Sequence, residues 1–103
     1  MEHITRAMAA RVLSALPTTF DTHQIERRVL RLYAVEFAEE LLEFRNADDP
    51  LMRFSAAFSQ WIGRTFTAYI RKAGRGKIVT ENLGGELSGN QEWTKLNPGA
   101  LIV

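Results

Sequence analysis

Between Leu51 and Tyr69 the apolar residues fall at helical spacing. Leu51, Phe54, Phe58, Trp61, Ile62, Phe66 and Tyr69 cover one broad face, and Arg53, Gln60, Arg64, Thr67 and Arg71 line the opposite one. This pattern constrains the fold more than any other, because a helix carrying that many aromatics on one side has to bury them. A chain of 103 residues offers a single modest core for the purpose. The preceding Asn46-Ala47-Asp48-Asp49-Pro50 is a turn and a helix start, with Asp48 or Asp49 as cap and Pro50 at the first helical position. Gly74 is placed to follow the last turn, so the spacing predicts a helix over 50–74. Gly63 lies at the border of the two faces, where it would permit close packing at roughly 1 kcal/mol of helix propensity.

A second helix is announced by Phe20-Asp21-Thr22-His23-Gln24-Ile25. Asp21 as N-cap and Gln24 three residues on make a capping box, with Phe20 and Ile25 spaced as a hydrophobic staple. His23 falls in the first turn and reads as structural. The helix is expected to run to about Arg45, but its apolar face swings from Ile25, Val29, Leu32 and Tyr33 to Leu30, Phe37, Leu41 and Phe44. Either it bends or its halves bury against different partners. The short turn makes antiparallel packing of the two helices the default, a helical hairpin over 21–74. Residues 1–16 read as an N-terminal helix with an Ile4, Met8, Val12 stripe, although their acid-poor amphipathic character also resembles an organellar transit peptide. Over 77–103, "KIVTENL", "GGELSGN" and "EWTKL" read as a small β-hairpin, and the final "ALIV" as a short strand or a tail. The expected fold is one mainly α domain over 1–103, two long antiparallel helices plus an N-terminal helix with a C-terminal hairpin, winged-helix-like in element order.

Chemistry is sparse. The chain has no cysteine and only His3 and His23 as imidazoles, neither at a metal-ligand spacing. "AGRGKI" lacks the spacing and final hydroxyl of a P-loop, and there is no G-x-S-x-G elbow. Glu36, Glu39, Glu40 and Glu43 share a helical face as di-metal bundles require, yet the Glu-x-x-His partners are missing. The residues point away from an enzyme and imply no metal and no cofactor. No apolar run approaches the ~20 residues that span a bilayer, so no membrane partner is expected, and the absence of cysteine fits a reducing compartment.

Charge is distributed unevenly behind a net +1: residues 32–49 carry one basic and six acidic groups, and residues 50–80 carry six basic and none acidic. Packed antiparallel, the helices would have an acidic end and a basic end. The first expectation is therefore a non-catalytic interaction module, a homodimer that lays each basic end on the other copy's acidic end. Glu36, Glu39, Glu40 and Glu43 would supply the acidic surface, with Phe37, Phe44 and Trp61 among the aromatics for the interface. The alternative is a DNA-binding regulatory protein. Arg53, Gln60, Arg64, Thr67 and Arg71 would face a DNA groove, with Lys72, Arg75 and Lys77 on the backbone or in a wing. The same stripe also fits the solvated face of an amphipathic helix, and a pI of about 8.2 is below the usual value above 9 for dedicated nucleic-acid domains. No small-molecule ligand is indicated.

Two resemblances attach to particular residues. "SQWIGRTFTAYIRKAGRGKIV" looks like the third helix and first wing strand of winged-helix domains, which implies DNA binding. Separately, Phe20-Asp21-Thr22-His23 opening a helix, Ile62-Gly63-Arg64 within a later one and Asn90-Gln91-Glu92-Trp93-Thr94-Lys95 near the end resemble small uncharacterised bacterial proteins. That resemblance implies a bacterial, cytoplasmic setting and brings no activity.

Overall fold

The computed structural model describes residues 1–103. Four helices and three strands alternate as α1 (Arg6–Ala15), β1 (Thr19–Asp21), α2 (Thr22–Leu32), α3 (Ala34–Leu42), α4 (Pro50–Thr65), β2 (Ile70–Glu81) and β3 (Leu87–Lys95). The strands form one antiparallel sheet in the order β1-β3-β2. The fold is therefore α+β, and the expectation of a mainly α chain built on two long helices is corrected at both helices.

The first correction is at Tyr33, whose φ −135° and ψ 55° end α2 and open α3. No Gly or Pro marks the break. It coincides with the swing of the apolar face: Ile25 and Val29 of α2 and Phe37 of α3 are all buried, and a straight helix would set Phe37 about 120° around from Ile25. The second correction lies past Thr65. Phe66 closes α4 with its N–H on the Ile62 carbonyl, and Tyr69 and Ile70 both donate to the Phe66 carbonyl, so a turn continues the helical spacing without the helix. Phe66 is buried and Tyr69 half-buried at that spacing, which is why the pattern reads as helical beyond its true end, and buried Ile70 continues it. Ile70, Arg71 and Lys72, expected in the helix, are strand by pairing with β3 rather than by propensity, and they precede the strand expected from Lys77.

Other local expectations hold. The Asp21–Gln24 capping box is complete in both directions, Asp49 caps α4 by accepting from the Met52 N–H, and Pro50 sits in the first turn. Thr5 caps α1 by accepting from the Met8 N–H, and Ile4 and Val12 are buried beneath it. Chain end "ALIV" is a tail pinned to α1. Buried Ile102 donates its N–H to Ser14 Oγ at 3.1 Å, and the same hydroxyl donates back to the Ile102 carbonyl at 3.2 Å.

An aromatic ladder runs through the core. Phe37 meets Phe54 edge-on at 5.0 Å, Phe54 stacks on Phe58 at 5.4 Å, and Phe58 on Trp61 at 5.9 Å. The ladder ties α3 to α4. Phe37 and Trp61, expected among the aromatics of an interface, are thus part of the core packing. No helix is long and apolar enough to cross a membrane.

Candidate functional site

The β2–β3 hairpin extends beyond β1, which reaches only Thr94, Trp93 and Glu92 of β3. Its distal half is a two-stranded ribbon held to the start of α2 by side chains. The His23 main-chain N–H donates to Asn90 Oδ1 at 3.0 Å, His23 Nδ1 pairs with Thr80 Oγ1 at 2.9 Å, and Asn90 Nδ2 donates to Thr80 Oγ1 at 2.9 Å. Burial holds the His23 pKa below its usual value, so the ring is neutral at pH 7, and its structural role is as expected. The three-residue tip Leu83-Gly84-Gly85 closes with Gly85 at φ 81° and Asn82 accepting the Gly84 and Glu86 N–H groups on Oδ1.

Held in this way, the ribbon stands away from α4 and encloses a groove of about 1090 Å³ with α4 and the start of α2. Trp93 lines it, its indole N–H donating to Thr22 Oγ1 at 3.0 Å, and Thr22 Oγ1 in turn pairs with Ser59 Oγ at 3.0 Å. The ring lies directly on Gly63, where a Cβ would approach Trp93 Cη2 to 2.9 Å. The expected close packing at Gly63 is therefore present. Gly63→Ala gains roughly 1 kcal/mol of helix propensity but drives a methyl group into a buried ring whose indole hydrogen bond fixes it, an overpacking cost of about 1–3 kcal/mol. The variant is expected to melt several degrees lower, at roughly 4–8 °C per net kcal/mol. A melting temperature above wild type would show that Trp93 yields.

Deeper in the groove, Ser55 Oγ donates to Glu26 Oε2 at 2.6 Å. Glu26 is only 1% exposed, and burial, opposed by this hydrogen bond, pushes its carboxyl up to about 7. The rim is polarised. Asp49 and Glu86 lie at the start of α4 and at the hairpin tip, where Gly84 comes up against Leu51. Arg64, Arg71, Lys72 and Lys77 line the remainder, and none of them takes part in an ion pair within the chain.

The structure thus brings together Gln60, Arg64, Thr67, Arg71, Lys72 and Lys77 on one groove, although Thr67 and Arg71 lie past the end of the helix expected to carry them. Thr67 caps α4 by donating to the Gly63 carbonyl at 2.8 Å, and Arg71, Lys72 and Lys77 arrive from β2. Arg53 is exposed on α4 outside the lining residues. Arg75 is turned back: residues 73–76 bulge out of β2 with Gly76 at φ 67°, and the guanidinium grips buried Glu92 through Nε at 2.9 Å and through Nη2. That pairing holds Glu92 below its usual carboxylate range. His23, Glu26, Ser55, Ser59, Asn90, Gln91 and Trp93 also line the groove, and the sequence offered no direct signal for them beyond the Asn90–Lys95 resemblance.

The residues proposed for an acidic interface are dispersed. Phe37 and Glu40 are buried, and Glu40 Oε1 accepts the His3 and Ile4 N–H groups at 2.9 and 3.0 Å. Phe44 and Trp61 are partly buried against the core, and Glu36 is half-buried. Exposed Glu39 and Glu43 clasp His3 from its two ring nitrogens at 3.0 and 3.1 Å, raising its pKa chiefly through the Glu43 hydrogen bond. Glu2, His3 and Glu43 are the only group with ligand atoms close enough for a metal ion, within 4.8 Å of one another. Both His3 nitrogens already face carboxylates, which favours a proton there. The chain matches no protein-family model, no curated protein and no solved structure.

Proposed function

We propose that the chain is a DNA-binding module that presents α4 and the β2–β3 hairpin in the winged-helix manner. One observation carries the reading. Four cations without partners, together with Gln60 and Thr67, line a single groove between a helix and a hairpin, and half of them reach it from a different element than sequence spacing implied. Cations gathered from two elements with no internal carboxylate to satisfy them are placed for an external polyanion. Side chains of α4 such as Gln60 and Arg64 are of the types that read base edges, and Arg71, Lys72 and Lys77 on the ribbon are placed for phosphates. The order helix, strand, helices, hairpin, with β3 between β1 and β2, suits this use. The self-associating reading through acidic and basic helix faces is weakened because Phe37 and Glu40 are engaged within the chain.

Duplex binding followed by fluorescence anisotropy tests the proposal. With three or four phosphates neutralised, affinity for a random-sequence duplex is expected to fall roughly 40- to 150-fold between 50 and 200 mM salt. Arg64→Glu with Arg71→Glu is expected to cost at least roughly 100-fold at 50 mM salt, and to flatten the salt slope by about 1 through the lost phosphate contact of Arg71. Circular dichroism should show the fold unchanged, because neither side chain contributes an ion pair to it. Binding that ignores salt, or that survives the double reversal, contradicts the proposal.

A further inference from the structure

In the sheet order β1-β3-β2 the outer edge of β2 pairs with no other strand. We infer that this edge is a self-pairing surface on which β2 of a second copy of the chain docks antiparallel, centred on Val79.

Which main-chain groups face outward follows from the hairpin register. Asn82 donates its N–H to the Glu86 carbonyl, which makes 82 and 86 a hydrogen-bonded pair. Alternation along the ladder then makes Thr80↔Ser88 and Ile78↔Asn90 bonded pairs as well, and turns the N–H and C=O groups of Glu81, Val79 and Lys77 away from β3. Arg27 marks the same direction, since its guanidinium donates to the outward Glu81 carbonyl at 2.8 Å; in the paired edge the Lys77 N–H of the second copy takes the second lone pair of that carbonyl or displaces the arginine. Side-chain burial agrees. Ile78 and Thr80 are half-buried toward α2, whereas Lys77, Val79 and Glu81 are exposed on the other face, Val79 at 66%.

The outward groups belong to the run Lys77-Ile78-Val79-Thr80-Glu81, which is self-complementary when read against itself antiparallel. A two-fold axis at Val79 sets Val79 against Val79 of the second copy and Lys77 against Glu81 in both directions. Opposite charges directly across a pair stabilise, and like charges destabilise. Any shift of one residue loses both ion pairs and turns Val79 to the wrong face, so the composition fixes one register. Leu87, opposite Glu81 in the register and 76% exposed, would extend the apolar contact over the ribbon face. Of the β3 residues lining the groove, Ser88 and Asn90 share the face of Thr80 and Ile78, which a copy docked edge-on to β2 leaves open. Only Lys77, at the groove rim, is common to both surfaces. A five-residue pairing falls below the roughly 1,200 Å² of stable complexes, which makes this a weak dimer that concentration drives.

Sedimentation equilibrium from about 10 µM to about 1 mM, the range in which such small interfaces populate, reads the result directly. The average mass is expected to climb from 11.7 kDa toward twice that value. Val79→Pro removes an N–H that β3 does not use, so the hairpin stands while the edge is blocked, and this variant is expected to remain monomeric throughout. Glu81→Lys is expected to remain monomeric too, because it faces Lys77 with its own charge. Combining it with Lys77→Glu reverses both partners and is expected to restore association. A wild type monomeric at the highest concentration overturns the inference. So does association that persists in Val79→Pro or in Glu81→Lys, or a reversed pair that fails to recover it. None of these readouts involves DNA, so they stand or fall apart from the groove.

Discussion

Glu26→Gln is expected to widen its stability advantage over wild type by about 3 kcal/mol between pH 4.5 and pH 8. The folded carboxyl titrates at about 7 against an ordinary 4.5, because burial disfavours its charged form. A folded pKa above the unfolded one means that the native state holds the extra proton. Its contribution is complete below about pH 4.5 and is lost as pH rises toward 7, the reverse of the ordinary salt-bridged carboxylate. Glutamine carries no titrating group, and its Oε1 can still accept from Ser55 Oγ, which now donates at 2.6 Å. Any fixed cost of the amide is equal at every pH and cancels in the comparison. Urea denaturation of both proteins at the two pH values measures the gap, and a gap that stays constant would mean the carboxyl is solvated. His23 adds an opposing slope in both proteins. Its folded pKa lies below 6.5, so its contribution is complete above that value and declines as pH falls below it.

Glu40→Ala is expected to destabilise by about 3 kcal/mol. Its Oε1 accepts from two successive main-chain N–H groups, those of His3 and Ile4, and Ile4 is 1% exposed. Truncation removes two charge-assisted bonds and leaves donors that water reaches poorly. Glu40→Gln keeps one accepting oxygen in place and is expected to recover about half of the loss. Denaturant midpoints give the magnitude, and faster amide exchange at His3 and Ile4 localises it. A loss below about 1 kcal/mol, the scale of a surface pair, would show that the N-terminal segment does not depend on this carboxylate.

These two acids illustrate how far the sequence could be read. Glu40 belongs to a run whose regular spacing resembles a solvated stripe, and nothing local reveals that the chain start, some 36 residues away, folds onto it. Glu26 sits among arginines on a helix and carries no sign of burial. What was legible was local and capped: Asp21 with Gln24, Asp49 with Pro50, and Gly63 beside a large side chain. The break at Tyr33 was half legible, since the apolar face turned where the helix does. The end of α4 was hidden because Phe66 and Tyr69 keep helical spacing across a turn. Of the basic residues expected on one surface, Arg64, Arg71, Lys72 and Lys77 line the groove, whereas Arg53 and Arg75 do not. Arg71, Lys72 and Lys77 reach it along a strand whose pairing with β3 is a long-range property, and Arg75 is withdrawn by Glu92, a partner no spacing rule supplies.

In the proposed complex a duplex backbone lies in the groove between α4 and the hairpin. Amide and indole NMR during titration with a short random-sequence duplex locates it. The Trp93 indole N–H, the Gln60 side-chain amide and the main-chain signals of Arg64, Arg71 and Lys72 are expected to move together, while those of Glu36 to Glu43 stay still. Shifts confined to the α3 surface, or a spectrum that does not respond at 50 mM salt, would contradict the proposal.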